Sequence, residues 1–202
     1  MTDYRWRPGD PVQPLRDLLA RGGILAIPTE SSYGLAADPR SAAGVEAIYR
    51  VKSRERGKAL PVVAADLDQL GALGVATEDA GVQRALHLWP APLSVLAPLH
   101  HPIAASAGMR TLAVRLPAHV ELRELLRALG TALTATSANR SGEEPLLDPE
   151  PLEDLLAAED AAVVDAGPLA GGLPSTLAVW GPGGWKVLRE GRFPVADLQS
   201  PG

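Results

Sequence analysis

Polar and cationic residues gather directly after several predicted strands, where open α/β sheets bind their ligands. Four such segments occur at strand ends, at 28–35, 115–117, 134–142 and 188–192, and a fifth polar segment, 50–58, ends a predicted helix. Arginine and lysine side chains, together with hydroxyl and amide groups, bind phosphates and carboxylates well. These residue types therefore point to a site that holds anionic substrates.

No obvious covalent nucleophile accompanies these anion donors. The chain has no cysteine, and its sequence lacks the P-loop motif, the GxSxG elbow and the HExxH metal motif. A reaction without a covalent intermediate relies on positioning and on neutralising charge, as nucleotidyl transfer does. The residues alone indicate that reaction class and go no further.

The segment 50–58 is the most cationic part of the chain. It carries five positive charges and one negative charge, whereas the whole chain has a net charge of −5. Two of the three lysines, Lys52 and Lys58, lie in it. A compact ammonium group there suggests a contact with phosphate, but a run of charges at a helix end is more often simply solvated. Both interpretations stay open from the residues alone.

Alternating apolar strands and amphipathic helices supply the framework for these segments. Helices are predicted over 12–21, 120–129 and 149–158, and three more are predicted to begin at Ser41, Asp66 and Glu78. Strands are predicted over 24–28, 60–64, 93–96, 112–116, 131–136, 163–164, 176–180 and 186–188. We expect Asp148 to cap the helix at 149 and Gly130 to stop the helix before it. This alternation predicts an α/β or α+β fold with a mixed sheet.

The bulk composition fits one soluble domain. A chain of 202 residues with 46% hydrophobic and 21% charged residues is expected to form a single domain over 1–202, with its core at about 12–193. The apolar runs are strand-sized, so no membrane segment is expected. The lack of cysteine fits a reducing, cytoplasmic location, and the net negative charge argues against a protein that coats nucleic acid.

Six motifs in this order resemble the YrdC-like threonylcarbamoyl-AMP synthase family. They are Pro-Thr-Glu-x-x-Tyr-Gly-Leu at 28–35, Ala-Ile-Tyr-x-x-Lys-x-Arg at 47–54, Trp-Pro-x-Pro-Leu at 89–93, Val-Arg-x-Pro at 114–117, Ser-Ala-Asn-x-Ser-Gly at 137–142 and Leu-Arg-x-Gly at 188–191. Each motif is weak alone, but the set covers most of the chain. The resemblance implies an α/β (α+β) fold, with a single open twisted mixed sheet flanked by helices around a large electropositive cavity.

The resemblance also assigns roles to individual residues. It implies that Thr29, Arg115 and Ser175 bind L-threonine, with Arg115 taking the carboxylate in a fork. The implied catalytic residues are Lys52, Arg54, Ser137 and Asn139. The implied ATP-binding residues are Lys52, Arg56, Thr111, Ser137 and Arg189. Of these, Lys52 and Arg189 are expected to lie in a solvent-accessible cavity.

The implied reaction joins L-threonine, bicarbonate and ATP into threonylcarbamoyl-AMP and pyrophosphate, for threonylcarbamoyladenosine modification of tRNA. Mg²⁺ is expected to arrive with ATP, held by phosphate oxygens and water rather than by a dedicated protein site. The close pair His100 and His101 is adjacent in sequence, which is a poor spacing for one metal ion. Further expected partners are the downstream threonylcarbamoyl transferase proteins. Binding of tRNA or double-stranded RNA stays open, and no membrane is expected.

Several positions depart from the family pattern. A histidine is common in the family near Val63, a carboxylate is common where Pro174 stands, and the segment around Pro145 also differs. Because rejecting a wrong amino acid depends on pairing its hydroxyl, these changes bear on the choice of amino acid. Two alternatives therefore stay open. One is a paralogue that adenylates another carbamate or carboxylate, and the other is a non-catalytic module that binds double-stranded RNA or tRNA through the segment 50–58.

Overall fold

The computed structural model describes residues 5–7, 9–53 and 57–199. The helices are α1 Gln13–Ala20, α2 Ala42–Lys52, α3 Leu67–Leu73, α4 Ala80–Ala85, α5 Val120–Leu129, α6 Glu150–Leu156 and α7 Val195–Gln199. The strands are β1 Arg5–Trp6, β2 Ile24–Pro28, β3 Tyr33–Ala36, β4 Val62–Val63, β5 Leu93–Pro98, β6 Thr111–Arg115, β7 Leu133–Thr134, β8 Thr136–Ser137, β9 Ala161–Val164, β10 Thr176–Gly181 and β11 Gly184–Arg189. A short 3₁₀ turn covers Ala104–Ser106.

Two mixed sheets form among the described residues. The first sheet has the strand order β1-β9-β2-β3-β8, and the second has the order β11-β10-β5-β6-β4-β7. Each sheet contains both parallel and antiparallel pairs, such as β2 with β9 and β2 with β3 in the first sheet. The predicted α/β fold with mixed strand pairing is therefore confirmed.

The prediction of a single sheet is corrected by a break in the strand predicted over 131–136. Val62 of β4 pairs with Thr134 in the second sheet, whereas Leu35 of β3 pairs with Thr136 in the first. Between these two pairs, the backbone N–H of Ala135 turns aside and donates to the carbonyl of Pro61 at 2.8 Å. The chain thus crosses from one sheet to the other at this residue, and two short strands replace one long strand.

Helices α1 and α5 join the two sheets by packing against both of them. Leu15 of α1 and Leu126 of α5 lie in one buried cluster with Ile27 of the first sheet and with Val63 and Leu133 of the second. Burial of this shared apolar surface opposes separation of the sheets. The two sheets are therefore held together on this side.

The local end signals explain most of the helix boundaries. The Ser41 hydroxyl accepts from the N–H of Gly44 at 3.1 Å, and Asp66 caps α3 through the N–H of Gln69. Gly130 ends α5 at a φ of 75°, a conformation that glycine adopts without a steric penalty.

Two predicted helix ends need correction. The helix predicted to open at Glu78 begins at Ala80, because the carboxylate of Asp79 accepts the N–H groups of Gly81 and Val82. The helix predicted to start at 149 has Pro149 itself at its N-cap, with no side-chain cap from Asp148. Within the described part of the chain, no helix is long and apolar enough to cross a membrane.

Candidate active site

A cavity of about 850 Å³ opens between the hairpin β2–β3 and one face of the second sheet. This volume lies within the range of small-molecule sites, which is roughly 300–1,000 Å³. The loop at 144–147 and the segment at 172–175 complete its wall. The cavity is therefore built from parts of the chain that are distant in sequence.

Six of the residues assigned by the resemblance line this cavity together. They are Thr29, Thr111, Arg115, Ser137, Ser175 and Arg189. Lys52 and Asn139 are buried behind Ser137 and are not among the lining residues. Arg54 and Arg56 lie outside the described residues, so their predicted roles stay predictions.

The pleat of the second sheet explains why these side chains share one face. On β6, the alternating residues Thr111, Ala113 and Arg115 all line the cavity, as expected for a period of two. Strand pairing extends this face sideways, because Leu177 of β10 lies opposite both Ser94 of β5 and Arg189 of β11. The face of the second sheet that lines the cavity is called the floor below. Arg115 and Arg189 both lie on this floor, with Ser94 and Leu177 between them.

Arg115 is held by a carboxylate from the opposite wall. Its Nη1 donates to Oε2 of Glu30 at 2.6 Å, and the backbone N–H of Ala118 donates to Oε1 of Glu30 at 2.8 Å. Burial raises the pKa of Glu30, but the charge of Arg115 and these hydrogen bonds outweigh it, so the pKa lies below its usual value. Glu30 therefore carries its negative charge at neutral pH, and it links the hairpin β2–β3 to the end of β6.

Arg189 interacts with the other side of the floor through hydroxyl and carbonyl oxygens. Its Nη2 donates to the carbonyl of Ser175 at 2.8 Å and to its Oγ at 3.3 Å. That Oγ also shares a hydrogen bond of 2.9 Å with Oγ of Ser94. Partial desolvation and the positive charge of Arg115 lower the pKa of Arg189. Two guanidinium groups that repel each other and share one cavity favour the binding of anions between them.

Gly191 lets the C-terminal segment approach the cavity wall closely. An added Cβ would meet the carbonyl oxygen of Pro174 and would lie 2.6 Å from both the carbonyl carbon of Ser175 and the nitrogen of Thr176. These are backbone atoms, which cannot rotate away as a flexible side chain can. This close approach brings the Arg189 side chain within hydrogen-bonding distance of Ser175.

We expect Gly191→Ala to lower turnover at least tenfold by moving Arg189 and Ser175 apart. The loss of unfolding free energy should be smaller, about 1–3 kcal/mol, as is usual for overpacking. Gly183→Ala is the matched control, because a Cβ at that turn meets no atom within 4 Å. Steady-state rates and thermal melts of both variants measure the effect. Equal rates for the two variants would contradict this account of Gly191.

Lys52 fixes the segment that carries Ser137. Its Nζ donates to the carbonyl of Ser137 at 2.6 Å, to the carbonyl of Asn139 at 3.2 Å and to Oδ1 of Asn139 at 2.9 Å. Ser137 Oγ donates to the same Oδ1 at 2.6 Å. Lys52 is only 4% exposed, so the expected solvent-accessible position for this lysine is wrong. The helix α2 carries its last residue, Lys52, into the interior, where the ammonium group organises the wall of the cavity.

Thr29 shapes the turn between β2 and β3. Its hydroxyl donates to the carbonyl of Ser32 at 2.7 Å, and its backbone N–H donates to the same oxygen at 3.1 Å. This geometry places Glu30 and Ser31 at the tip of the turn, and both of them line the cavity. Thr29 thus has a structural task in addition to its place in the cavity wall.

Sequence reasoning missed the contributions of Glu30, Ser94 and Glu144 to the lining. The charged residues of the described lining are two arginines, Arg115 and Arg189, and two glutamates, Glu30 and Glu144. The electropositive character of the cavity stays a prediction. Glu30 stands inside the quoted motif at 28–35, and Ser94 directly follows the motif at 89–93, so their positions offered the only signal.

The sequence matches a known family model over most of its length. The model of the Sua5/YciO/YrdC proteins, described as "Telomere recombination", matches residues 17–191. A curated threonylcarbamoyl-AMP synthase of Thiobacillus denitrificans is 41% identical over 133 residues, which cover 65% of this chain and 71% of that protein.

Solved structures with the same fold agree with this match. Sua5 of P. abyssi in complex with L-threonine has a TM-score of 0.85 and 24% sequence identity, covering 98% of this chain and 60% of that chain. YciO of E. coli has a TM-score of 0.81 and 23% identity, covering 98% of both chains. The present chain thus spans about three fifths of the Sua5 chain and nearly all of YciO.

Proposed function

The chain belongs to the Sua5/YciO/YrdC family, and from this membership and the geometry of the cavity we propose that it is an L-threonylcarbamoyladenylate synthase. It forms threonylcarbamoyl-AMP and pyrophosphate from L-threonine, bicarbonate and ATP. The observation that carries the proposal is that six residues distant in sequence, expected from the resemblance to bind these substrates, line one cavity. The name of the Thiobacillus denitrificans relative supports it.

Arg115 and Arg189 divide the substrates between them in this proposal. Arg115 binds the carboxylate of L-threonine, beside Thr29 and Ser175. Arg189 and Ser137 bind the phosphates of ATP, and Thr111 contacts the nucleotide. The two arginines on one floor bring the amino acid and the α-phosphate together, and such positioning contributes much of the rate in reactions of this kind. Arg54 and Arg56, outside the described residues, would add positive charge.

The reaction proceeds in two steps without a covalent enzyme intermediate. The deprotonated amine of L-threonine attacks the carbon of carbon dioxide, formed from bicarbonate, and gives a carbamate, while the proton leaves to solvent. A carbamate oxygen then attacks the α-phosphorus of ATP, and the bond to the β-phosphate oxygen breaks to release pyrophosphate. Lys52 and Asn139 contribute by fixing the backbone at Ser137.

Mg²⁺ accompanies ATP in this proposal. Among the described residues, no group of three or more histidine, aspartate or glutamate side chains is placed to hold a metal ion. The ion would be delivered by the triphosphate and coordinated mainly by its oxygens and by water, and it would neutralise charge on the phosphates.

The product is a mixed anhydride and can donate its acyl group, so we place the protein upstream of threonylcarbamoyl transferase proteins that modify tRNA. The lack of cysteine supports a cytoplasmic location in this proposal. Direct contact with tRNA or double-stranded RNA is a separate possibility, which the segment 50–58 would serve. The chain spans about three fifths of the Sua5 chain. The synthase activity is therefore a proposal for this chain.

Pyrophosphate release from ATP with labelled bicarbonate tests the proposal. Reactions contain L-threonine, L-serine, L-valine or no amino acid, and the label is followed into the product. We expect release and incorporation with L-threonine and little with the other mixtures. Release that favours another substrate would assign the chain to a paralogue. No release at all from folded protein, together with salt-sensitive binding of RNA, would favour the RNA-binding alternative.

Arg189→Ala should lower turnover at subsaturating ATP by about 10- to 100-fold. The loss of unfolding free energy should stay below about 1 kcal/mol, because Arg189 is exposed and the described hydrogen bonds of its side chain go to Ser175 alone. Arg127→Ala on the outer face of α5 is the control, since it removes an exposed arginine far from the cavity. Steady-state kinetics and thermal melts decide, and unchanged pyrophosphate release in Arg189→Ala would refute its assignment to ATP.

A further inference from the structure

Glu30 connects three parts of the chain around the cavity. Its carboxylate binds Nη1 of Arg115, the last residue of β6, and the backbone N–H of Ala118, three residues later. Its backbone carbonyl accepts a hydrogen bond from Nη1 of Arg192, which follows β11. The partners are 85, 88 and 162 positions away in sequence. A residue at the tip of a hairpin turn thereby contacts both ends of the floor.

The carboxylate of Glu30 limits the directions in which Arg115 can point. The side chains of Arg115 and Glu30 are only 10% and 11% exposed, and the pair is joined at 2.6 Å. The second oxygen of the carboxylate is held by Ala118, so the acceptor itself cannot swing away. A guanidinium carries five N–H donors, and the bond from Nη1 leaves further donors for a second carboxylate.

We propose that Glu30 is a positioning residue of the amino-acid subsite, which orients the Arg115 guanidinium for the carboxylate of the substrate. This inference rests on the proposed function. It goes beyond that function because it assigns a task to a carboxylate that itself repels the substrate carboxylate. The gain is that Arg115 is already fixed before binding, so less conformational entropy is lost when the amino acid arrives.

A purely structural task for Glu30 makes a different prediction. Buried ion pairs often contribute little net stability, because the loss of hydration offsets their attraction. If Glu30 served only to join the hairpin to β6, its replacement would loosen the whole cavity and lower the affinity for both substrates alike. If Glu30 positions Arg115, its replacement should weaken the binding of L-threonine selectively, because in the proposal Arg115 binds L-threonine. Arg189, which binds ATP, lies on the other side of the floor.

Glu30→Gln separates these two tasks. The amide keeps the length of the side chain and an oxygen that accepts the N–H of Ala118, but it loses the charge that holds Arg115. We expect KM for L-threonine to rise about tenfold, KM for ATP to change less than about twofold, and kcat to change little. Glu124→Gln is the matched control, because Glu124 is an exposed glutamate on α5. Its two KM values and its kcat should stay as in the wild-type protein.

The outcomes distinguish this inference from the proposed function. Equal rises in both KM values, or an unchanged KM for L-threonine, would overturn the positioning task while wild-type turnover still supports the synthase. Wild-type release of pyrophosphate that does not depend on L-threonine would overturn the proposed function and this inference with it. If Glu30→Gln does not fold, Glu30→Asp is measured instead. It keeps the charge but is one methylene shorter, so the same selective rise in KM is expected.

Discussion

Replacing Lys52 by alanine should lower turnover about 100-fold and also destabilise the fold by about 3 kcal/mol. The Lys52 ammonium donates to the carbonyls of Ser137 and Asn139 and to the Asn139 side chain. Its removal leaves these buried acceptors without that partner, and hydrogen bonds to charged groups contribute about 1.5–3 kcal/mol each, without simple additivity. Turnover falls because Ser137, which lines the cavity, loses its support.

Lys186→Ala is the matched control for this experiment. Lys186 is an exposed lysine in the hairpin β10–β11, so its removal should change neither quantity appreciably. Denaturant unfolding measures stability, and pyrophosphate release measures turnover. A Lys52→Ala protein that loses turnover but keeps wild-type stability would show that the ammonium acts on substrate rather than on the segment 137–139.

Elements defined by short-range signals could be predicted closely from the sequence. The strand β2 was predicted over its observed range, because an apolar run of five residues is typical of a strand buried on both faces. The helix α5 was also predicted over its observed range, since its buried leucines recur at helical spacing and Gly130 follows directly. Local propensity and burial agree in both elements.

Elements that depend on distant partners could not be predicted. The strand β3 lies within a motif that looks like a polar loop, and it becomes a strand by pairing with β2 on one side and β8 on the other. The two residues of β1 are a strand because they pair with β9, more than 150 positions later. The break at Ala135 likewise follows from a hydrogen bond to Pro61, which no local pattern reveals.

The residues that form the site were easier to predict than the hydrogen bonds that connect them. The family resemblance indicated ten residues for the site, and six of them line the cavity. It did not indicate that Lys52 turns inward to Asn139, nor that Glu30 binds Arg115, because residue identity does not determine the direction of a side chain. These two interactions concern how the site is supported, and their energetic consequences can be measured by mutation.

Arg115→Ala should raise KM for L-threonine at least 100-fold and should destabilise the fold by about 3 kcal/mol. The loss of affinity follows from the missing carboxylate partner. The loss of stability follows because Glu30 keeps its charge at a largely buried position, and removing one member of a buried ion pair typically costs about 3–5 kcal/mol. Water entering the cavity should bring the cost to the lower end of that range.

A double-mutant cycle with Glu30→Gln isolates the energy of this pair. We expect Glu30→Gln/Arg115→Ala to be more stable than Arg115→Ala alone, because the double variant no longer buries an unpaired charge. The coupling free energy should be about 1–3 kcal/mol in denaturant unfolding. KM for L-threonine should stay as high in the double variant as in Arg115→Ala, since Glu30 affects the substrate only through Arg115. Additive losses of stability, or a further rise in KM, would show that Glu30 acts on the cavity independently of Arg115.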